Sequence, residues 1–198
     1  MLRIAVFGSG RGSNFHAILA ALQQGRIPNA QICLVISNNS SAGILEIARA
    51  NSLPAIHLSQ QLFPTESAYG DALIALLRQH GVNFIALAGY MKRLPSRVVG
   101  LFPDRIVNIH PALLPKFGGK GMYGHHVHEA VIRSGERLSG ATVHIVDEEY
   151  DHGAVVLQRT VDVSPDDTPE TLAAKVLRIE HELYPEAIRL FAEGRYHR

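Results

Sequence analysis

The chain has 198 residues, 46% hydrophobic and 19% charged, with a formal net charge of +1. That suffices for one real core and shows too little charge bias for a dedicated nucleic-acid or membrane surface. Its single cysteine, Cys33, cannot form an internal disulfide, no apolar run reaches the ~20 residues of a membrane helix, and no charged leader precedes an apolar run. A cytoplasmic protein that binds no nucleic acid and no membrane is the expectation. Cys33 sits in the apolar run "ICLVIS", which predicts a buried structural thiol.

In chain order, "LRIAVFGS" (2–9) reads as a strand. Residues 13–25 read as a helix, with Phe15, Ile18, Leu19 and Leu22 at helical spacing and Gly25 at the stop. "AQICLVISN" (30–38) is a second strand, 42–51 a helix ending before Pro54, and "AIHLS" (55–59) a short strand. Residues 66–80 make a strong helix closed by Gly81, and "VNFIALAG" (82–89) a fourth strand. A short helix around 95–101 leads into "RIVNIHPALLPKF" (105–117), an apolar strand interrupted by Asn108 and His110 and ended by Pro111. A helix at about 125–133 follows. "SGATVHIVDEE" (139–149) alternates as a half-exposed strand would, and a tight turn at Gly153 leads to "AVVLQRTVDV" (154–163). A last helix starts at Thr168-Pro169 and runs towards Phe191, with a bend expected at Pro185.

The β-α-β-α alternation, with strands apolar on both faces, predicts a parallel sheet covered by helices. The predicted fold is one α/β domain over 1–198. It is a Rossmann-like three-layer fold with a mostly parallel sheet, antiparallel C-terminal strands and a long C-terminal helix.

"GSGRGSN" (8–14) follows the first strand and opens the first helix, where α/β folds hold anions. The dinucleotide fingerprint needs a third glycine where Ser13 stands, and an acid after the second strand, which ends Ser37-Asn38-Asn39. The triphosphate-loop Gly-Lys-Ser/Thr is absent as well. Two readings remain: a monophosphate cradle made by Gly12, Ser13 and Asn14, or a plain turn with Ser13 or Asn14 capping the helix.

Asn108 and His110 point to one face of their strand, because side chains alternate with period two. At a strand end beside a phosphate loop they can form an oxyanion site for acyl transfer, or be merely structural. A carboxylate is needed to set the imidazole, and "HIVDEEYDHG" (144–153) offers Asp147, Glu148, Glu149 and Asp151. Asp151 stands just before the turn at His152-Gly153, as a presented residue would, but spacing alone leaves all four open. His125, His126 and His128 invite a metal reading, yet the zinc motif started by His128-Glu129 fails at Ile132, so no metal is expected. Glycines 118, 119, 121 and 124 predict a mobile rim over 117–126.

Together, "FGSGRGSN", "LAGYMKRL" (87–94), "IVNIHPALLPKF", "ATVHIVDEEYDHG" and "IEHELYP" (179–185) resemble the phosphoribosylglycinamide formyltransferase family, in order and over nearly the whole chain. The resemblance implies transfer of the formyl group of 10-formyltetrahydrofolate, a co-substrate, to the amine of glycinamide ribonucleotide in purine synthesis. It implies catalytic Asn108, His110 and Asp151. It implies an acceptor site of Gly12, Ser13, Asn14 and Glu180, and a folate segment of Met91, Lys92, Arg93 and Leu94 with Asn108. It also implies small-molecule substrates, no metal, and a monomer or homodimer. The chain departs from the family at Lys92, often arginine, at Glu66, where a basic folate contact is common, and in a longer 117–128 loop.

On this reading Asn108 and a cationic His110 stabilise the tetrahedral oxyanion. Asp151 supports His110 and helps to pass the amine proton to the leaving nitrogen. A methionyl-tRNA formyltransferase is disfavoured by the missing basic surplus and by a chain that ends soon after the sheet. A formyltetrahydrofolate hydrolase is disfavoured by a first strand starting at residue 2. A non-catalytic nucleotide-binding module leaves Asn108, His110 and Asp151 unexplained.

Overall fold

The computed structural model describes residues 1–196. Seven strands form one sheet: β1 (Leu2–Phe7), β2 (Ala30–Ser37), β3 (Ala55–His57), β4 (Phe84–Leu87), β5 (Ile106–His110), β6 (Leu138–Ile145) and β7 (Val155–Asp162). Their order is β3-β2-β1-β4-β5-β6-β7. The pairs from β3 to β5 are parallel, and β5–β6 and β6–β7 are antiparallel. The helices are α1 (Ser13–Gln23), α2 (Gly43–Ala50), α3 (Glu66–Gln79), α4 (Ser96–Leu101), α5 (His125–Ser134) and α6 (Pro169–Ala192).

The local signals act as expected. Thr65 caps α3 by accepting from the Ala68 N–H. Thr168 and Thr171 form a reciprocal capping box at α6, with Pro169 first in the helix. Pro185 lies inside a continuous α6 and does not divide it.

Two apolar layers sandwich the sheet. Phe15 and Ile18 of α1, Ile44 of α2, Val131 of α5 and Leu183 and Ile188 of α6 pack with Ile4, Val6, Val107, Val143 and Ile145 on one face. On the other face, Tyr69, Leu73 and Leu77 of α3 and Val98 of α4 pack with Ala5, Phe7, Ile85, Leu87 and Ile106. The second layer thus also takes in Leu34 and Ile36 of β2 and reaches no further than the start of β5. Asn108 and His110 share the side of Ile106, because the side-chain period is two. They lie where that helical cover stops.

Two expectations are corrected. β6 ends at Ile145 rather than 149 and is buried along Ser139–Ile145 instead of alternating. Its second face is covered not by a helix but by the chain after β5: Thr142 Oγ1 donates to Ala112 O (2.6 Å) and accepts from the Leu114 N–H (3.1 Å). The turn at Gly153 is the end of a nine-residue connection, 146–154, which makes its own hydrogen bonds: Glu149 N–H to Asp147 Oδ1 at 2.8 Å, and His152 Nδ1–H to Asp147 Oδ2 at 3.0 Å. Cys33 is half-buried rather than buried, its thiol 3.5 Å from Ile4 O.

Candidate active site

Strand order reverses at β1, with β2 on one side and β4 on the other. Ligands of open α/β sheets sit at such a switch point, beyond the carboxyl ends of the strands. The segments leaving those ends here are the glycine turn after β1, residues 88–94 after β4, and Asn108–His110 closing β5.

Gly12 starts α1 with φ +83°, and no side chain caps the helix. The capping reading therefore fails, and the first-turn N–H groups remain for an anion. A Cβ on Gly12 would come within 2.8 Å of the Ile44 Cα, so glycine is required. The Asn14 side chain turns away from the turn, and its Nδ2 donates to Glu180 Oε2 at 2.6 Å. Asn14 Oδ1 is buried without a partner. Glu180 is only 8% exposed. Burial pushes its carboxyl up to about 7, partly offset by the Asn14 bond. One helical turn further on, the Tyr184 hydroxyl lies 2.9 Å from Leu87 O and 3.1 Å from Val107 O. Those contacts hold the Glu180 turn of α6 against the ends of β4 and β5.

Of the four candidate acids, only Asp151 faces the imidazole. Asp147 serves its own loop, and Glu148 and Glu149 are exposed. Asp151 Oδ2 lies 3.6 Å from His110 Nδ1 and accepts from the Gly119 N–H at 2.9 Å. Its Oδ1 lies 3.5 Å from Nε2 of His144. Burial opposes ionisation of Asp151, but the His144 contact, the His110 charge and the Gly119 N–H outweigh it and hold the carboxyl below its ordinary range.

His144 is a site residue that the sequence reading missed. It lies directly opposite Asn108 in the antiparallel β5–β6 register. Its Nδ1 lies 2.8 Å from Ile145 O, and its Nε2 lies 3.1 Å from Asn108 Nδ2 and faces the Asp151 carboxylate. The signal was present as a histidine inside an otherwise apolar strand, but its meaning depends on the register.

His110 donates from Nε2 to Phe117 O at 2.7 Å and turns Nδ1 towards Asp151. Both ring nitrogens thus face acceptors, which suits an added proton. Burial nevertheless lowers the His110 pKa, more than Asp151 and the Phe117 carbonyl raise it. Burial thus works against the cation expected at His110.

The glycine-rich segment is pinned at its start, since Phe117 and Gly119 hold His110 and Asp151. Phe117 (φ +56°) and Asp151 (φ +54°) both adopt the left-handed region, a strain that the surroundings of functional sites sustain. His125 lies 3.4 Å from Glu129 and from Glu170, and His126 lies 3.5 Å from Glu129. Among the described residues no cluster of three or more His, Cys, Asp or Glu is placed to hold a metal, and no helix is long and apolar enough to cross a membrane.

The folate segment divides. Met91, Lys92 and Arg93 are exposed, whereas Leu94 is a core residue (3% exposed) that anchors the segment. Arg93 donates to the Glu148 carbonyl and lies 6.0 Å from the Tyr150 ring centroid, bridging to the Asp151 loop.

An uncapped helix start after one strand end, and an amide, two imidazoles and a carboxylate gathered at another, are an arrangement suited to an acyl-transfer type of enzyme. The formyl transferase family matches residues 2–188. The phosphoribosylglycinamide formyltransferase of Bacillus subtilis is 35% identical over 96% of this chain and 94% of its own. The chloroplastic enzyme of that name from Arabidopsis thaliana is 45% identical over 98% of this chain. The chain spans 66% of that plant relative and 62% of the one from Vigna unguiculata. The crystal structure of glycinamide ribonucleotide transformylase 1 from Symbiobacterium toebii superposes with a TM-score of 0.92 at 42% identity, covering 98% of this chain and 89% of that one. The chain belongs to the formyl transferase family, among the phosphoribosylglycinamide formyltransferases.

Proposed function

We propose that the protein transfers the formyl group of 10-formyltetrahydrofolate to the amine of glycinamide ribonucleotide, as one formyltransferase domain over 1–198, in the cytoplasm. The observation that carries this is the Asn108–His110–Asp151 cluster at the end of β5, in the same sheet whose β1 end leads into the uncapped start of α1. The acceptor's phosphate lies on the N–H groups of Gly12, Ser13 and Asn14, and Glu180 holds its glycinamide end. The folate occupies Met91–Leu94, with its formyl group at Asn108.

The neutral amine attacks the formyl carbon, and negative charge builds on the formyl oxygen. The Asn108 amide donates to it. The same charge raises the proton affinity of His110, whose ring already has an acceptor at each nitrogen. The attacking nitrogen loses its proton through Asp151 and water to the departing N10, and tetrahydrofolate leaves. No covalent intermediate with the enzyme is needed.

The test is a single-donor, several-acceptor assay. Purified protein is incubated with 10-formyltetrahydrofolate and, separately, glycinamide ribonucleotide, methionyl-tRNA or water alone. Formylated glycinamide ribonucleotide should be the rapid product. Equal donor loss without acceptor would identify a hydrolase instead.

A further inference from the structure

We propose that Ser9 is a positioning residue that couples the acceptor-phosphate turn to the formyl-donor segment, so that filling one site tightens the other. This rests on the two substrate sites proposed above. Ser9 lies three residues before Gly12, and its backbone N–H donates to Gly89 O at 3.0 Å. Its hydroxyl donates to Asn38 Oδ1 at 2.5 Å and accepts from the Met91 N–H at 2.8 Å. A serine hydroxyl has one proton. Committing it to Asn38 turns the lone pairs towards Met91, so the contact is directional.

Each end of this tie is anchored. Asn38 directly follows β2, and the next residue is held by its own turn: Asn39 N–H donates to Ser37 Oγ at 3.1 Å, and Asn39 Oδ1 accepts from the Ser41 N–H at 3.1 Å. The phosphate turn is wedged on α2, where Ile44 N–H donates to Gly10 O at 3.1 Å. A Cβ on Gly8 would lie 2.6 Å from Ile44 Cδ1. At the far end of the donor segment, Leu94 is locked in the core. Met91 is itself 51% exposed, so its N–H bond to Ser9 is the near tether of that segment. Order that a bound phosphate imposes on the turn therefore reaches the first folate-binding residue through the Ser9 hydroxyl, alongside the backbone link from the Ser9 N–H to Gly89 O. Coupling between sites is reciprocal, so folate must tighten the acceptor by the same factor.

The test is calorimetric titration of the parent, Ser9→Ala and Ser9→Thr with tetrahydrofolate, with and without saturating glycinamide ribonucleotide. The parent should bind tetrahydrofolate about 5-fold or more tightly with acceptor present. Ser9→Ala should lower that factor below about 2, and Ser9→Thr, which keeps the hydroxyl, should restore it. In turnover, Ser9→Ala should raise the donor KM several-fold with kcat little changed. If Ser9→Ala does not fold, Asn38→Ala removes the acceptor that aims the hydroxyl and must lower the factor as well. A parent factor of about 1, or a factor unchanged in Ser9→Ala or Asn38→Ala, overturns the coupling while leaving the proposed activity intact. A parent that binds both compounds but forms no formylated product overturns the activity instead.

Discussion

Glu180 shows how much one buried group can set. Its carboxyl has an ordinary value of 4.5 and is raised to about 7 by burial. Between those two pH values the folded chain keeps a proton that the unfolded chain has lost, so stability falls as pH rises through the window. The penalty is absent below 4.5 and complete above 7, and it corresponds to roughly 3 kcal/mol. Glu180→Gln removes the titration and keeps an oxygen for Asn14. The variant should match the parent near pH 4.5 and exceed it by about 1–3 kcal/mol at pH 8, read from urea midpoints at both values. A difference that does not vary with pH would refute this. At this scale legibility was uneven. The shared face of Asn108 and His110 follows from a period of two, and no long-range knowledge is needed. His144 needed the β5–β6 register, and Asp151 could be separated from its three acidic neighbours only by the fold of their connection. The lowered pKa of His110 depends on a burial that no spacing shows.

At the scale of elements, the parallel half of the sheet was legible because each strand is a short apolar run and the helices α1 and α3 stop at Gly25 and Gly81. β6 misled because Ser139, Thr142 and His144 are polar but buried: Thr142 bonds Ala112 O and His144 bonds Ile145 O rather than water, and Ser139 Oγ has no partner among the described residues. Its end is set by Gly153, where a Cβ would lie 2.0 Å from Ile145 O. That carbonyl is the one that fixes the His144 ring. Gly153→Ala forces backbone against backbone, which side-chain rotation cannot relieve. It should cost about 2–3 kcal/mol and lower the melting temperature by roughly 5–10 °C, as scanning calorimetry would record. Activity should fall with it, since Asp151 is two residues away. A melting curve identical to the parent's would show that the two segments separate more easily than the packing indicates.

Over the whole molecule, the site arises from an incomplete layer. Helices α3 and α4 cover one face of the sheet as far as the start of β5, and the polar ends of β5 and β6 begin where that cover ends. The chain after β5 then crosses back and clamps His110 and Asp151 through Phe117 and Gly119. The central claim is that this cluster works as one unit. Steady-state kinetics on Asp151→Asn, His110→Asn and the double variant test it most directly, with the His110 titration followed by NMR. Asp151→Asn keeps the shape and removes the charge. It should lower the His110 pKa further, leave both KM values within a few-fold, and cut kcat by ~100-fold or more. His110→Asn should be at least as slow, and the double variant should lose far less than the product of the two single losses. Near-normal turnover in Asp151→Asn, or losses in the double variant that simply multiply, would contradict the account.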